Sequence, residues 1–204
     1  MEKSHHVLSL YNSLAMNKPE KKILIAVTGA SAMVFLQSFL EMIAKEEVLV
    51  HGVCSDAGEK VLQIESGISH TDLPAVSQWF DCKDFAAPPA SGSSGYSAMI
   101  VLPCSMGSLA AIASGMSSTL VHRAADVMLK ERKKLLLVAR ETPLNRTHLK
   151  NMLAVHDAGA TICPPHPGFY LKPATIEEAA MTFSWRLGDQ LGLVMKGRKR
   201  WGGC

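Results

Sequence analysis

Stretches of consecutive apolar residues alternate with amphipathic stretches along most of this chain. Four of the apolar stretches are typical of buried strands, and a weaker fifth follows them: Ile23–Thr28, Val48–Cys54, Ala98–Pro103, Lys134–Ala139 and then Ala160–Cys163. Between them, apolar residues recur about every 3.6 positions, which indicates helices packed on one side. Strands and helices that alternate in this way predict an α/β fold, with a parallel sheet covered by helices on both faces.

Local signals place several of the helices more closely. One helix is predicted over Thr119–Arg132, and a longer one runs from about Thr175 to Leu193. Glu178 stands three residues after Thr175, as in a capping box at the start of that last helix. Pro143 is expected to open the helix after the fourth strand, because proline suits the first helical turn.

Polar residues concentrate where the predicted strands end. In open α/β sheets, ligands bind outside the carboxyl ends of the strands. The loops at those ends are Gly29–Ser31, Ser55–Asp56, Cys104–Ser108, Arg140–Pro143 and Pro164–Tyr170. They are rich in hydroxyl groups, glycine, proline and charge, so we expect the chemistry of this protein there.

The turn Gly29–Ser31 leads directly from a buried strand into a helix. Small residues let the backbone approach an anion, and the free N–H groups and the helix dipole would face it, which favours a bound phosphate. Ser55, Ser105 and Ser108 would add hydroxyl donors from two more loops. Each serine taken alone is better explained as a helix N-cap. Hydroxyl groups in three such loops favour a phosphate site more than any one of them does.

The charged residues of these loops and helices each allow two interpretations. Arg140 and Glu141 form either a surface ion pair or an arginine on an anionic ligand beside a glutamate that moves a proton. Arg123 and Lys130 share one helix face, either as solvated residues or as cations at a site. Four of the eight histidines show no ligand spacing and are interpreted as structural or solvent-facing: His122, His148, His156 and His166.

The loop Pro164–Tyr170 contains three prolines that fix its backbone. A loop stiffened in this way presents Tyr170 at little cost in conformational entropy. Arg186 lies in the last predicted helix, either within reach of the same pocket or simply exposed.

Composition and charge narrow the class of function. The chain has 204 residues, of which 48% are apolar and 19% charged, as expected for a globular domain. Its net charge of +3 is too small to indicate nucleic-acid binding, and its apolar runs are too short to cross a membrane. The five cysteines lack C-x-x-C spacing, so we expect neither a zinc site nor disulfides, and a cytoplasmic location.

These patterns divide the chain into three parts. Residues 1–20 are predicted to be an N-terminal extension, residues 21–195 a single domain, and residues 196–204 a basic tail. The basic run Lys196–Arg200 is interpreted as a solvated tail rather than a binding patch.

Six motifs, in a fixed order, carry a resemblance to a known family. They are T-G-A-S at Thr28–Ser31, A-P-P-A-S-G-S at Ala87–Ser93, L-P-C-S at Leu102–Ser105, H-R-A-A-D-V-M-L-K-E-R at His122–Arg132, R-E-T-P-L at Arg140–Leu144 and P-P-x-P-x-F-Y at Pro164–Tyr170. Together they resemble the UbiX-type flavin prenyltransferases, formerly described as aromatic-acid or 3-octaprenyl-4-hydroxybenzoate decarboxylases. The resemblance runs from about Lys22 to Leu193.

The resemblance implies both a fold and an activity. The fold is a flavodoxin-like Rossmann three-layer sandwich that binds FMN. It forms homo-oligomers, as trimers that commonly build dodecamers, with the active site at subunit interfaces. The reaction joins a dimethylallyl group from dimethylallyl phosphate to N5 and C6 of reduced FMN, without a metal. The prenylated FMN is then the cofactor of a UbiD-type decarboxylase.

Site residues follow from the positions that match the family motifs. The residues implied to bind the flavin are Gly29, Ala30, Ser31, Ser55, Ser105, Met106, Gly107, Ser108 and Arg140. Those implied to bind the prenyl phosphate are Arg123, Lys130, Tyr170 and Arg186. Those implied in catalysis are Ser31, near N5 of the flavin, and the proton-transferring Glu65 and Glu141.

Two positions depart from the family pattern. Ala32 stands where the family usually has glycine, and an alanine is acceptable there if it already has helical backbone angles. Gly107 stands where a lysine is common, which removes a cation near the flavin phosphate. These departures bear on cofactor affinity rather than on the fold.

Three alternative functions make different demands on the sequence, and the first of them stays within the flavoprotein superfamily. A flavin-dependent cysteine decarboxylase of the phosphopantothenoylcysteine type should carry a P-x-M-N-x-x-M-W signature, which is not found. A non-catalytic FMN-binding regulatory subunit should have lost the prenyl-phosphate residues, and all of them are present. A nicotinamide oxidoreductase is disfavoured because the chain has no complete G-x-G-x-x-G.

Overall fold

Six parallel strands form one sheet at the centre of the molecule. The computed structural model describes residues 21–202, and the strands are β1 Lys21–Val27, β2 Val48–Cys54, β3 Val76–Phe80, β4 Ala98–Cys104, β5 Lys134–Ala139 and β6 Thr161–Ile162. Their order across the sheet is β3-β2-β1-β4-β5-β6. All neighbours pair in parallel. The five strands predicted from the apolar runs are confirmed.

The edge strand β3 was missed by the sequence analysis. Ser77 and Gln78 in its middle are exposed, so its sequence has no continuous apolar run. Only its pairing with β2, which includes Gly52 opposite Trp79, identifies it as a strand. An edge strand needs less apolar surface than a central one, because one of its sides has no neighbouring strand.

Within residues 21–202, six α-helices cover the two faces of the sheet. They are α1 Met33–Ile43, α2 Asp56–Ser66, α3 Met106–Ala113, α4 Leu120–Lys130, α5 Arg146–Asp157 and α6 Ile176–Leu191. Helices α1, α2 and α6 pack on one face, and α3, α4 and α5 pack on the other. Alternate residues of β1 pack against the two helix layers. Ile23 and Ile25 lie on the first face, and Leu24 and Ala26 lie on the second. The predicted three-layer α/β sandwich is confirmed.

The starts of α5 and α6 differ from the sequence predictions. Pro143 does not open the helix, because α5 starts at Arg146 and the side chain of Asn145 caps it by accepting from the His148 N–H at 2.8 Å. At the start of α6, Thr175 accepts from the Glu178 N–H at 3.1 Å. The Glu178 carboxylate, however, accepts from the Ala174 N–H, so only half of the predicted capping box forms.

The C-terminal segment packs back on the domain as far as it is described. Lys196 donates its backbone N–H to the Glu46 carboxylate at 2.9 Å, and Arg198 forms an ion pair with Asp189 of α6. The Trp201 ring meets the Tyr170 ring edge to face, with ring centroids 5.0 Å apart. Lys196, Lys199 and Arg200 are nevertheless exposed, as the interpretation of a solvated run predicts, and only Arg198 is partly buried. The partners are distant in sequence, so no local pattern could show them.

The predicted extension, residues 1–20, lies outside the described residues. Within residues 21–202, no helix combines the length and the apolarity needed to cross a bilayer.

Candidate cofactor and substrate site

A cavity opens where the chain order of the sheet reverses, between the carboxyl ends of β1 and β4. We call it the switch-point cavity; it measures about 280 Å³ and its lining includes Thr28, Gly29, Ser55, Ser105, Ser108 and Thr119. Crossover connections leave β1 and β4 in opposite directions, which is why a crevice forms there. The prediction that the strand-end loops meet in one place holds for the loops after β1, β2 and β4.

Thr28 makes two hydrogen bonds that join the end of β1 to the loop after β4, and we call this pair of hydrogen bonds the Thr28 clip. Its side chain is buried, with 2% of the residue exposed. The hydroxyl donates to the Pro103 carbonyl at 2.9 Å and accepts from the Ser105 N–H at 2.8 Å. The two hydrogen bonds fix the loop after β4 relative to the end of β1. Thr28 was absent from the predicted site residues, although it opens the T-G-A-S motif.

Three helices begin at the switch-point cavity, and each begins with a hydroxyl cap. Ser55 accepts from the Gly58 N–H at 3.0 Å to cap α2, and Ser105 accepts from the Ser108 N–H at 3.2 Å to cap α3. Thr119 caps α4 through the His122 N–H at 3.4 Å. The capping interpretation is therefore confirmed for Ser55 and Ser105, and the phosphate-binding interpretation of the serines stays a prediction. The positive ends of three helix dipoles around hydroxyl groups fit an anionic phosphate.

Gly29 is required by the close packing of β1 against α2. A Cβ at this position would lie 2.6 Å from the Ala57 Cβ, which is closer than two carbon atoms can approach. The backbone after β1 can therefore reach the start of α2 only without a side chain. This contact brings the turn and the Ser55 cap to the same wall of the cavity.

Ala32 overturns one expectation about the turn after β1. It is the N-cap of α1 with φ 91° and ψ 41°, in the left-handed region, and not a residue with helical angles. A side chain in this region clashes with its own backbone, at a cost of about 1–2 kcal/mol. The turn keeps the backbone path that glycine adopts easily, although alanine occupies the position.

Glu65 occupies the N-terminus of α1. Its carboxylate accepts from the backbone N–H groups of Ala32 and Met33 at 3.0 and 2.8 Å. These are amides that the sequence analysis expected to face a phosphate. Partial burial raises the pKa of Glu65, but hydrogen bonds from Ser31, Met33 and Ala32, with Arg140 nearby, lower it overall. The helices that begin at the switch-point cavity are α2, α3 and α4.

Among four further residues predicted for flavin binding or proton transfer, Gly107 lines the switch-point cavity, whereas Ala30, Met106 and Glu141 do not. A Cβ added at Gly107 would meet only the Ser105 hydroxyl, at 4.0 Å. Met106 packs on the apolar cluster under α3 and α4, and Ala30 is buried in the turn. Glu141 is exposed and accepts from the Thr142 N–H at 3.0 Å.

A second cavity brings together Tyr170 and Arg186, as the sequence analysis expected. We call it the tail cavity; it measures about 760 Å³ and its lining includes Gly168, Tyr170, Thr182, Arg186, Asp189 and Trp201. Thr182 of α6 accepts from the Gly168 N–H at 2.9 Å, which ties the proline-rich loop to that helix. The switch-point serines do not line this cavity, so the two predicted groups of residues occupy separate places in one chain.

Arg123 and Lys130 lie apart from both cavities. Arg123 donates to the Ala90 carbonyl at 3.1 Å and to the Asp126 carboxylate at 2.8 Å. Lys130 pairs with Glu131 at the end of α4, next to the start of β5. This end of α4 lies near the amino ends of the strands, whereas the switch-point cavity lies at their carboxyl ends. Within one chain, the structure does not bring these two cations to the predicted site.

His122 was interpreted as structural or solvent-facing, but it lies in the lining of the switch-point cavity. Its ring Nδ1 is 3.0 Å from the Ser118 hydroxyl, and burial lowers its pKa, which favours the neutral ring. No sequence spacing signalled this position. It depends on the cap at Thr119, which turns the first residues of α4 toward the cavity.

Comparison with known proteins identifies the relatives of this chain. The family model described as Flavoprotein matches residues 11–185. A curated relative from Bacillus subtilis, "Probable UbiX-like flavin prenyltransferase", is 42% identical over 183 residues, which is 89% of this chain and 90% of that protein.

Solved structures agree with that relationship. The crystal structure of AnUbiX (PadA1) in complex with FMN and dimethylallyl pyrophosphate has a TM-score of 0.87 and 41% identity, covering 91% of this chain and 99% of that one. A dodecameric FMN-dependent UbiX-like decarboxylase from Escherichia coli O157:H7 has a TM-score of 0.84 and 38% identity, covering 90% and 100%.

Proposed function

Since the chain belongs to the family of UbiX flavin prenyltransferases, we propose that it transfers a dimethylallyl group from dimethylallyl phosphate to reduced FMN. The observation that carries this proposal is the switch-point cavity, where three hydroxyl-capped helix N-termini form a binding place for a phosphate. A relative with 41% identity was crystallised with FMN and dimethylallyl pyrophosphate, which supports both ligands.

The flavin phosphate is assigned to the switch-point cavity. Ser55, Ser105 and Ser108, with Thr119 beside them, would hold its oxygens, and Gly29 and Gly107 would leave room for them. The reduced flavin, when bound, supplies the nucleophilic N5 and C6 that take the prenyl group. Ala30, Ser31, Met106 and Arg140 complete the proposed flavin contacts. Gly107 stands where a lysine is common in the family. Hydroxyl groups and helix dipoles would therefore stabilise the negative charge of the phosphate without that lysine.

The prenyl phosphate is assigned to Tyr170 and Arg186. The guanidinium can bind two phosphate oxygens at once, and this interaction strengthens as the phosphate leaves with its growing negative charge. Trp185 and Phe183 of α6 lie in the lining of the same cavity and exclude water from an allylic group that would react with it. Glu65 and Glu141 are proposed to transfer protons, with Ser31 next to Glu65.

The site is proposed to be complete only in a homo-oligomer. Lys130 lies at the end of α4, away from both cavities of its own chain, with Arg123 about 10 Å along the same helix. A neighbouring subunit would therefore have to bring them to the prenyl phosphate. The dodecamer formed by the Escherichia coli relative supports a trimer-based assembly.

The product is proposed to serve a UbiD-type decarboxylase as its cofactor. A cytoplasmic location is supported by the cysteines, since Cys54, Cys82, Cys104 and Cys163 are all free thiols.

The decisive experiment is an anaerobic incubation of the protein with FMN, dithionite and dimethylallyl phosphate. The flavin is then extracted and its mass compared with that of FMN. A gain of one C5 unit is expected, and the Arg186→Ala variant should reach it about a hundredfold more slowly. Bound but unmodified FMN, with the donor shown to be intact, would contradict the proposal and favour a cysteine decarboxylase or a regulatory subunit.

Sharing of the site between subunits is tested by mixing two inactive variants. Lys130→Ala and Arg186→Ala are each expected to lose prenyl transfer. After dissociation and reassembly together, some interfaces would contain both intact residues, and activity should return. Mixed oligomers that stay inactive would contradict the contribution of Lys130 from a neighbouring subunit.

A further inference from the structure

Three side chains with metal-binding atoms meet behind the switch-point cavity, at the end of β2. Cys54 ends the strand, Glu59 lies in the first turns of α2, and His70 begins a short 3-10 turn after that helix. One atom of each side chain lies within 4.8 Å of the other two. The cysteines and histidines of this chain show no ligand spacing in sequence, so only the fold reveals this cluster.

The separations are close to those around a tetrahedral metal ion. Glu59 Oε2 lies 2.7 Å from His70 Nδ1 and 4.0 Å from Cys54 Sγ. Ligand atoms bound to zinc at its usual bond lengths are about 3.4–3.6 Å apart. The three atoms therefore need movements of only about an ångström to surround one ion.

The surrounding structure holds all three side chains in place. The backbone N–H of His70 donates to Glu59 Oε2 at 3.1 Å, which fixes the carboxylate to the 3-10 turn. The Trp79 ring lies edge to face against the His70 ring, with centroids 4.8 Å apart. Cys54 is held by the pairing of β2 with β1, opposite Val27. The cluster is half-buried, with 28% and 35% of the His70 and Glu59 side chains exposed, so an ion could reach it.

The chemistry of the three groups selects one class of ion. A thiolate and a carboxylate carry two negative charges, which balance a divalent cation when the imidazole is neutral. Sulfur and imidazole ligands favour zinc-like ions over magnesium and calcium, which prefer oxygen. Three protein ligands leave one coordination position for water.

We propose that Cys54, Glu59 and His70 bind a zinc-class divalent cation. On binding, the Cys54 thiol proton leaves to solvent, and the proton on His70 moves to the ring nitrogen that faces away from the ion. The ion joins the end of β2, the first turns of α2 and the 3-10 turn. Because Ser55 follows Cys54 and caps α2, the ion stabilises one wall of the switch-point cavity. Its role is structural, and it is separate from the prenyl transfer.

The test uses cobalt as a spectroscopic probe on the full-length protein after chelator treatment. One Co²⁺ per chain should give a thiolate-to-cobalt charge-transfer absorption that Zn²⁺ then removes by displacement. The Cys54→Ser variant should lose this absorption, and the matched Cys163→Ser variant should keep it. A sulfur signal also distinguishes this site from binding at the sequence neighbours His5 and His6, which offer only nitrogen.

Two further measurements guard against a folding defect in Cys54→Ser. The His70→Gln variant should bind Zn²⁺ at least about tenfold more weakly in a chelator competition. Zinc should raise the melting temperature of the wild type and of Cys163→Ser, but not that of Cys54→Ser. Absence of the charge-transfer band in the wild type, or its retention in Cys54→Ser, would overturn the proposal. The Glu59–His70 hydrogen bond would then serve only to anchor the turn.

Discussion

The switch-point cavity and the tail cavity are built in different ways. The switch-point cavity is made of backbone, small residues and hydroxyl caps at the ends of β1, β2 and β4, and the sheet fixes it from below. The tail cavity is made of long side chains from a loop, from α6 and from the C-terminal segment, with Tyr170 about half-exposed (51%). The first depends on close approach of main chains, whereas the second depends on where side chains point.

Because of this difference, the switch-point cavity and the tail cavity are suited to different roles. A site made from helix N-termini and a buried threonine is preorganised, so it can hold a phosphate without moving. A site made from an exposed tyrosine and arginine can adapt as a substrate arrives or a product leaves. We therefore expect cofactor binding to respond to changes in the first region, and turnover to changes in the second.

The substitution with the largest expected effect distinguishes the tail cavity from the switch-point cavity. Arg186→Ala should lower the rate of prenyl transfer about a hundredfold, because a charge-assisted contact to phosphate contributes about 1.5–3 kcal/mol. The affinity for FMN, measured by flavin fluorescence, should not change. Arg146→Ala, which removes an exposed arginine from α5, is the matched control. Weakened FMN binding in Arg186→Ala would mean that the two cavities are not independent.

Removal of the clip at Thr28 should give the opposite pattern. Thr28→Val keeps the shape of the side chain but loses both hydrogen bonds at a buried position, at a cost of about 1–3 kcal/mol of unfolding free energy. FMN should bind about tenfold more weakly, because the loop after β4 is no longer fixed. Thr161→Val on β6 is the control, and urea denaturation with flavin titration measures both quantities. Unchanged FMN affinity would show that the clip serves stability alone.

The carboxylate of Glu65 should stabilise the start of α1 in a pH-dependent way. Its pKa in the folded state is lowered, so the charged form contributes stability above the ordinary pKa of a glutamate. That contribution disappears as the pH falls through the folded-state pKa. Glu65→Gln should thus be less stable by about 1 kcal/mol near neutral pH, and equal to the wild type once the pH lies below the folded-state pKa. Urea denaturation at several pH values measures this difference, and a difference that persists in acid would contradict the electrostatic explanation.

The smallest expected effect concerns the turn after β1 and has the opposite sign. Ala32→Gly should raise the unfolding free energy by about 0.5–1 kcal/mol, because glycine adopts the left-handed backbone without strain. Ala30→Gly is the control, since Ala30 is not among the residues with positive φ. Thermal unfolding of the two variants gives the comparison. A loss of stability in Ala32→Gly would mean that the alanine methyl group has a packing role.

Much of the switch-point cavity could be predicted from the sequence, and less of the tail cavity. Gly29, Ser55, Ser105 and Ser108 follow strands with continuous apolar runs, so the topology of a parallel sheet places them at one edge. The role of Thr28 depends on contacts with the loop after β4, which is distant in sequence. The docking of Trp201 on Tyr170, and the meeting of Cys54, Glu59 and His70, depend on such contacts too.

The sequence by itself determined the α/β alternation, five of the six strands and the family of this protein. It could do so because burial on both faces leaves continuous apolar runs, and because the motifs lie at fixed places between them. Only the tertiary structure decided that Glu65 takes the amides of α1, that Ala32 adopts a left-handed backbone, and that Lys130 lies away from its own cavities. These features arise where segments distant in sequence approach each other, and neither local propensity nor periodicity carries that information.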